Sequence, residues 1–310
     1  MDEKIDLQGK KVLVVGSGKS GIGAAGLIAQ AGGIPVLFDG NEKLSTEEIR
    51  ERAGRIKGLL VFVGEVPEEE KKSIVLVVIS PGVPVDAPML DAYREEGIPI
   101  WGEIELAYRF SKGRIVAITG TNGKTTTTTL VGQIMEAYYR SVFVVGNIGN
   151  PYTDVALSTA EDTVTVAEIS SFQLETTHQF QPAVSAILNI TPDHLNRHHT
   201  MACYVEIKER IAGKQTEEDV CVLNYEDAYT RSFGERCPAK VVYFSSARKL
   251  SEGIYLEGEE IFLSRDGSSK RLMNIHEMKL VGMCNVENVM AAIGISLAME
   301  VPLEIILDTV

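Results

Sequence analysis

The segment Ile115-Val116-Ala117-Ile118-Thr119-Gly120-Thr121-Asn122-Gly123-Lys124-Thr125-Thr126-Thr127 runs from an unbroken apolar stretch through a glycine turn into a threonine-rich helix start. Such an apolar run suits a strand covered on both faces, and a strand followed at once by a helix is the building unit of a parallel sheet. The turn has the form of a phosphate cradle. Gly120 and Gly123 let the backbone approach an anion, the helix N-terminus adds partial positive charge, and Lys124 adds a full one. Thr125 stands where a hydroxyl can hold the Mg²⁺ of a nucleotide. The general loop pattern wants a glycine five residues before Gly123, where this chain has Ile118. The bland alternative is a glycine-rich turn that caps a helix beside a solvated lysine.

Similar apolar runs recur. Lys11–Val15, Pro35–Phe38 and Ile74–Ile79 each lead towards glycine or Ser-Pro-Gly and predict a small doubly wound domain over residues 1–99. After Pro99 the pattern restarts with Arg114–Thr119, Ser141–Val145, Val164–Ala167, Val184–Leu188, Val220–Leu223 and Val241–Phe244, which predicts a larger sheet over residues 100–310. Ile254–Leu263 reads as a hairpin turned around Glu257-Gly258-Glu259, an antiparallel edge to that sheet. Asn285–Met299 has helical apolar spacing, and Pro302 opens a further short helix. The expected fold class is α/β, with a Rossmann-like N-terminal domain and a larger P-loop-type domain of mostly parallel strands.

Composition narrows the function. With 310 residues, 45% of them hydrophobic, the chain can bury two cores. Its net charge of −13, from 43 acidic and 30 basic residues, repels polyphosphate and anionic lipid at long range, so nucleic-acid and membrane partners are not expected. Any phosphate must be gripped locally. Cys203, Cys221, Cys237 and Cys284 are too scattered to suggest a zinc site or a disulfide framework. The N-terminus is charged where a signal peptide needs an apolar core, and runs such as Ile74–Ile79 fall far short of a membrane span. A cytoplasmic protein without membrane insertion is the expectation.

Three further clusters carry chemistry. Val14-Val15-Gly16-Ser17-Gly18-Lys19-Ser20-Gly21, with Asp39 at the end of the next strand, satisfies the dinucleotide fingerprint. That geometry serves NAD, FAD or a uridine diphosphate, or is simply a tight turn. Val166–Glu175 places Glu168 at the tip of a buried strand, where a carboxylate is costly unless paired or bound to metal. Asn189-Ile190-Thr191-Pro192-Asp193-His194 puts an Asp-His pair at the end of another strand, with Asp193 able to orient His194. His198 and His199 read as exposed residues at a helix start. Lys208, in the amphipathic stretch Tyr204–Ile211, reads on its residues alone as a surface lysine in an ion pair.

Gly-Thr-Asn-Gly-Lys-Thr-Thr at 120–126, Ser-Ser-Phe-Gln-Leu-Glu at 170–175 and the Asp193-His194 segment, in this order behind a Rossmann-like half, closely resemble the Mur ligases, ATP-dependent amide ligases of peptidoglycan precursor synthesis. The D-glutamate-adding branch is the nearest match. The resemblance implies an ATP site at Gly120, Thr121, Asn122, Gly123, Lys124, Thr125 and Thr126, with Asn285 and Asn288 on the adenine. It implies Mg²⁺ held through Thr125, Glu168, His194 and a Lys208 carbamylated by CO₂, so that Lys124, Glu168, His194 and Lys208 carry the catalysis. For UDP-N-acetylmuramoyl-L-alanine it implies contacts from Lys19, Ser20, Asp39, Ser80, Pro81, Gly82, Asn147, Ser170 and Gln173, with Ser170 and Gln173 near the phosphate or muramoyl part; D-glutamate is the second substrate. The family pattern Gly-x-His-Asn-x-x-Asn has Cys284 in place of its histidine here, and Asn285 is equally compatible with an N-cap.

The match covers nearly the whole chain. Ligases of this kind carry a third domain, and the sequence ends in the apolar helix Glu304–Val310, so a two-domain chain that lacks the C-terminal, amino-acid-binding domain and makes no amide is expected. An NAD-dependent oxidoreductase built on Gly16–Gly21 leaves the Lys124 loop unexplained. A non-catalytic nucleotide-binding module remains the other alternative.

Overall fold

The structure is a computed structural model that describes residues 5–147, 149–280 and 282–310; Ile148, next to Asn147, and Val281, next to the Gly282–Asn288 segment, lie outside the described residues. The chain divides into two compact units. The first runs to Lys112 and takes in residues 150–160 and 172–180, and the second comprises 113–149, 161–171 and 181–310. The first unit therefore extends past residue 99. The helix Glu103–Phe110 buries Ile104, Leu106 and Ala107 in it. Ser111 Oγ meets the Tyr152 hydroxyl at 2.6 Å. Glu105, fully buried, accepts the backbone N–H groups of His178, Gln179 and Phe180.

The first unit is built on β1 (Lys11–Val15), β2 (Ile34–Asp39), β3 (Leu60–Val63), β4 (Ile74–Ile79) and β5 (Ile100–Gly102), in the order β3-β2-β1-β4-β5 with every pairing parallel. Val12, Leu13 and Val14 are shielded on both faces, as their unbroken apolar run predicts. Chain order reverses between β1 and β4, and the crevice outside the carboxyl ends of strands at such a reversal is where open α/β sheets collect ligands. The short strands β3 and β5 have no counterpart in the sequence pattern.

The second unit contains β6 (Arg114–Thr119), β7 (Val142–Gly146), β8 (Val164–Glu168), β9 (Val184–Ile187), β10 (Val220–Asn224), β11 (Lys240–Ser245), β12 (Gly253–Glu257), β13 (Glu260–Arg265) and β14 (Ser268–Asn274). Their order is β14-β13-β12-β11-β10-β9-β6-β8-β7, parallel up to β12 and antiparallel across β12, β13 and β14. The hairpin turns at Gly258, and β14 extends the expected antiparallel edge by one more strand. Here the reversal falls at β6, between β9 and β8. The helices Lys124–Tyr138 and Met283–Ala298 pack into one core with these strands through Leu130, Val131, Ile134, Val289, Met290 and Ile293. Among the described residues no helix is long and apolar enough to cross a membrane.

Candidate functional site

In the second unit the turn that follows β6 sits at the reversal of strand order. Gly123 caps the helix Lys124–Tyr138 with φ +82 and no side chain bonded to the helix end. A Cβ at Gly123 would lie 2.3 Å from Asn288 Oδ1, so the residue is held to glycine by conformation and by space together. The first N–H groups of a helix lack intrahelical acceptors, which makes this end an anion site. Asn189 shapes the turn: its Oδ1 accepts the N–H of Thr121 at 3.1 Å and of Asn122 at 2.8 Å, and its Nδ2 donates to the Asn122 carbonyl. Two N–H groups of the loop are thus spent on holding its shape. Sequence reasoning missed this clamp, although Asn189 opens the Asp193-His194 motif.

Lys124 curls back so that Nζ donates to the Gly120 and Thr121 carbonyls, at 2.9 Å each. Burial lowers its pKa against the pull of Glu168 and Asp193. Glu168, 1% exposed at the tip of β8, accepts from the Thr125 hydroxyl at 2.9 Å and from Asn147 Nδ2 at 2.7 Å. Register explains the meeting, since Glu168 pairs with Ile118 on one side and Gly146 on the other. A buried carboxylate against a hydroxyl, beside a phosphate-type loop, fits Mg²⁺, which binds through one or two protein oxygens and completes its octahedron with phosphate and water. Among the described residues no group of three or more His, Cys, Asp or Glu side chains is gathered to hold a metal unaided.

His194 stands half exposed with φ +51, its Nε2 3.4 Å from Asp193 Oδ2. His198 departs from expectation. It is 2% exposed, with Nε2 2.9 Å from Ser171 Oγ and its ring against Tyr204. The short helix Leu195–His198 turns it inward, whereas His199 stays exposed. Lys208 is not a surface lysine either. Only 1% exposed, it donates to the Gly120 carbonyl at 2.9 Å and lies over the Tyr204 ring. Burial, and then the charge of Lys124, bring its pKa down to about 7 against the pull of Asp193. An amine poised there is substantially neutral near pH 7, the form that reacts as a nucleophile.

Asn288 accepts from the Thr127 hydroxyl at 3.3 Å and donates to Asn285 Oδ1 at 3.1 Å, so Asn288 adjoins the loop at Gly123 and Asn285 stands beside Asn288. Asn285 is not the N-cap; Gly282 is, and the Asn285 N–H donates to its carbonyl. Thr126 lies half-buried in the first turn of the loop helix, Ser170 is half-buried after β8, and Cys284 is exposed.

The first unit gathers its candidates at the carboxyl ends of β1, β2 and β4. A Cβ at Gly21 would come within 1.8 Å of the Gly16 carbonyl, which is how closely the helix Lys19–Gln30 packs on the turn. Lys19 and Ser20 open that helix. Asp39 accepts from the Ser17 N–H at 2.9 Å and hydroxyl at 2.6 Å, and from the Asn41 N–H at 3.0 Å. Burial raises its pKa, but these bonds and the charge of Arg52 outweigh it and hold the carboxyl below its ordinary value. Asp39 braces the glycine turn through Ser17, which sequence reasoning left without a role. Ser80 donates its N–H to the Val15 carbonyl and its hydroxyl to the Gly16 carbonyl, with Pro81 and Gly82 following. Gln173 falls in this unit and Ser170 in the other.

Residues 118–296 match the family described as the Mur ligase middle domain, and residues 10–102 match the Mur ligase MurD-like, N-terminal domain. The UDP-N-acetylmuramoylalanine–D-glutamate ligase of Lachnospira eligens is 55% identical over 306 residues, which span 99% of this chain and 68% of that protein. The ligase of the same name from Clostridioides difficile is 45% identical over 98% of this chain and 67% of that protein. The chain thus spans about two thirds of the length of the relatives it matches. Among solved structures, the UDP-N-acetylmuramate:L-alanyl-gamma-D-glutamyl-meso-diaminopimelate ligase from Neisseria meningitides superposes with a TM-score of 0.64 at 16% identity, over 97% of both chains, and shares the fold. The phosphate-type loop, the buried Glu168 and the two matched domains lead to one assignment: the chain belongs to the Mur ligase family.

Proposed function

We propose that the protein takes part in the ATP-dependent joining of D-glutamate to UDP-N-acetylmuramoyl-L-alanine, with these 310 residues supplying the UDP-substrate site in the first unit and the ATP site in the second. The observation that carries the reading is the Gly120–Lys124 turn, an uncapped helix end with Lys124, Thr125, Glu168 and Lys208 converging on it. The 55% identity to a relative named for this reaction supports the choice of substrates. In the reaction the terminal carboxylate of the UDP-sugar takes the γ-phosphoryl group of ATP, which leaves ADP and an acyl phosphate. The D-glutamate nitrogen then forms a bond to the acyl carbon, the C–O bond to phosphate breaks, and the nitrogen sheds a proton.

The loop and Lys124 hold the phosphates and offset the charge that develops during transfer. Thr125 and Glu168 would hold Mg²⁺, and His194 is assigned to it as a further ligand; the ion supplies charge neutralisation between two anions that must approach. Lys208 in its neutral form can add to CO₂ and lose a proton, which gives a carbamate and turns a cation into a further oxygen ligand. Asn285 and Asn288 are assigned to the adenine, and Lys19, Ser20, Asp39, Ser80, Pro81, Gly82 and Gln173, all in the first unit, to the UDP-sugar. The protein is assigned to the cytoplasm, where its nucleotide substrates are made. Thermal shift with UDP-N-acetylmuramoyl-L-alanine, MgATP and NAD tests the reading: the first two should each raise the Tm and NAD should not. Stabilisation by NAD alone would sink it in favour of an oxidoreductase.

A further inference from the structure

The helix Glu103–Phe110 carries two buried glutamates, and they are buried on different terms. Glu105 is satisfied by the backbone N–H groups of His178, Gln179 and Phe180, an arrangement that serves the fold. Glu103 is 2% exposed. Its Oε1 accepts from Gln173 Nε2 at 2.7 Å, while its Oε2 is buried with no hydrogen-bond partner among the described residues. Burial, with the nearby Asp154 adding to it and the Gln173 bond opposing, pushes its pKa up to about 7. An acid held this way costs stability that an apolar side chain of similar size would not.

Its position suggests what the cost serves. Glu103 is the first residue beyond β5, and with Ser80, Pro81, Val83, Gln173 and Thr176 it encloses one gap of the first unit that is too tight to hold a water molecule. The residues around it adjoin the carboxyl end of β4, at the reversal of strand order, where ligands collect outside the strand ends. We propose that Glu103 is a positioning residue for substrate recognition. By binding Nε2 it selects one of the two flip states of the Gln173 amide, so that the carbonyl oxygen is turned away from Glu103 and towards the ligand. A carbonyl oxygen accepts two hydrogen bonds, so a partner within the protein leaves room for one from the ligand. Gln173 then reads an N–H or O–H donor, which the sugar and alanyl part of the substrate has, and not a phosphate oxygen, which only accepts. The proposal rests on the UDP-sugar reading of this unit.

The test compares the Kd of UDP-N-acetylmuramoyl-L-alanine with that of UDP by calorimetry, in the wild type, E103L and E103Q, with the Tm of each recorded. Loss of one well-placed hydrogen bond predicts that E103L binds the UDP-sugar about tenfold more weakly and UDP within about twofold of wild type. E103Q, whose amide oxygen can still take Gln173 Nε2, should restore the UDP-sugar affinity to within about threefold of wild type. E103A serves where the leucine variant does not fold, and reads the same way. Equal weakening of both ligands, no weakening of either, or failure of E103Q to rescue a folded protein would overturn the proposal. A wild type that binds the UDP-sugar no better than UDP would instead remove the substrate reading on which it stands.

Discussion

Glu168 is a carboxylate whose oxygens are already shared, one with the Thr125 hydroxyl and the other with the Asn147 amide. Both partners are neutral, and the charge of the group is felt from further off by Lys124. A cation at this point would supply the missing balance, and its loss should be felt only when the cation is present. E168Q is therefore expected to weaken ATP binding about tenfold or more in Mg²⁺ and less than about twofold in EDTA, read by calorimetry in the two buffers. Equal losses in both would show that Glu168 acts only through Thr125. His198 and Lys208 make a related point about burial. Each has a polar partner inside, Ser171 and the Gly120 carbonyl, and both pack on Tyr204. Local sequence cannot show such an environment, because a lysine in a helix reads as a solvated one until the neighbouring turn is placed above it.

At the scale of elements, the turn after β6 depends on glycine at one point more than any other. Gly123 combines φ +82 with a Cβ position 2.3 Å from Asn288 Oδ1. G123A should cost about 1–3 kcal/mol in chemical unfolding and weaken ATP binding, since alanine is strained at this positive φ and the Asn288 amide has to move aside. A variant with unchanged stability would mean that the turn yields freely. Much of the framework was legible in the sequence: unbroken apolar runs marked β1, β4 and β6, and the hairpin turned at Gly258 as its spacing predicts. What escaped was short or polar. β5 has 3 residues, and β14 begins Ser-Ser-Lys-Arg, so neither carries an apolar signal. The candidate residues of the loop were legible because phosphate chemistry demands them in sequence. The Asn189 clamp was not, for it reaches the loop across 67 positions of chain.

For the whole molecule, two separate cores imply that the ligand sites answer to different residues and that buried charge is felt in global stability. Glu103 illustrates the second point. Its pKa is raised from 4.5 to about 7, so its contribution is fully present below 4.5 and is lost as pH rises through 7; Asp154, also raised by burial against the pull of Lys19, acts in the same direction. Stability of the wild type should fall relative to E103Q between those limits, in denaturant titrations at a series of pH values. A constant difference would place the ionised form of Glu103 in the folded protein throughout. The central claim is that this chain holds a nucleotide triphosphate at the Gly120–Lys124 turn and a UDP-sugar elsewhere. Calorimetric titration of K124A with each ligand addresses it most directly: loss of the charged contact predicts that MgATP affinity falls by about ten- to a hundredfold while UDP-N-acetylmuramoyl-L-alanine binds within about twofold of wild type. Equal loss of both ligands, or undiminished ATP binding, would contradict it.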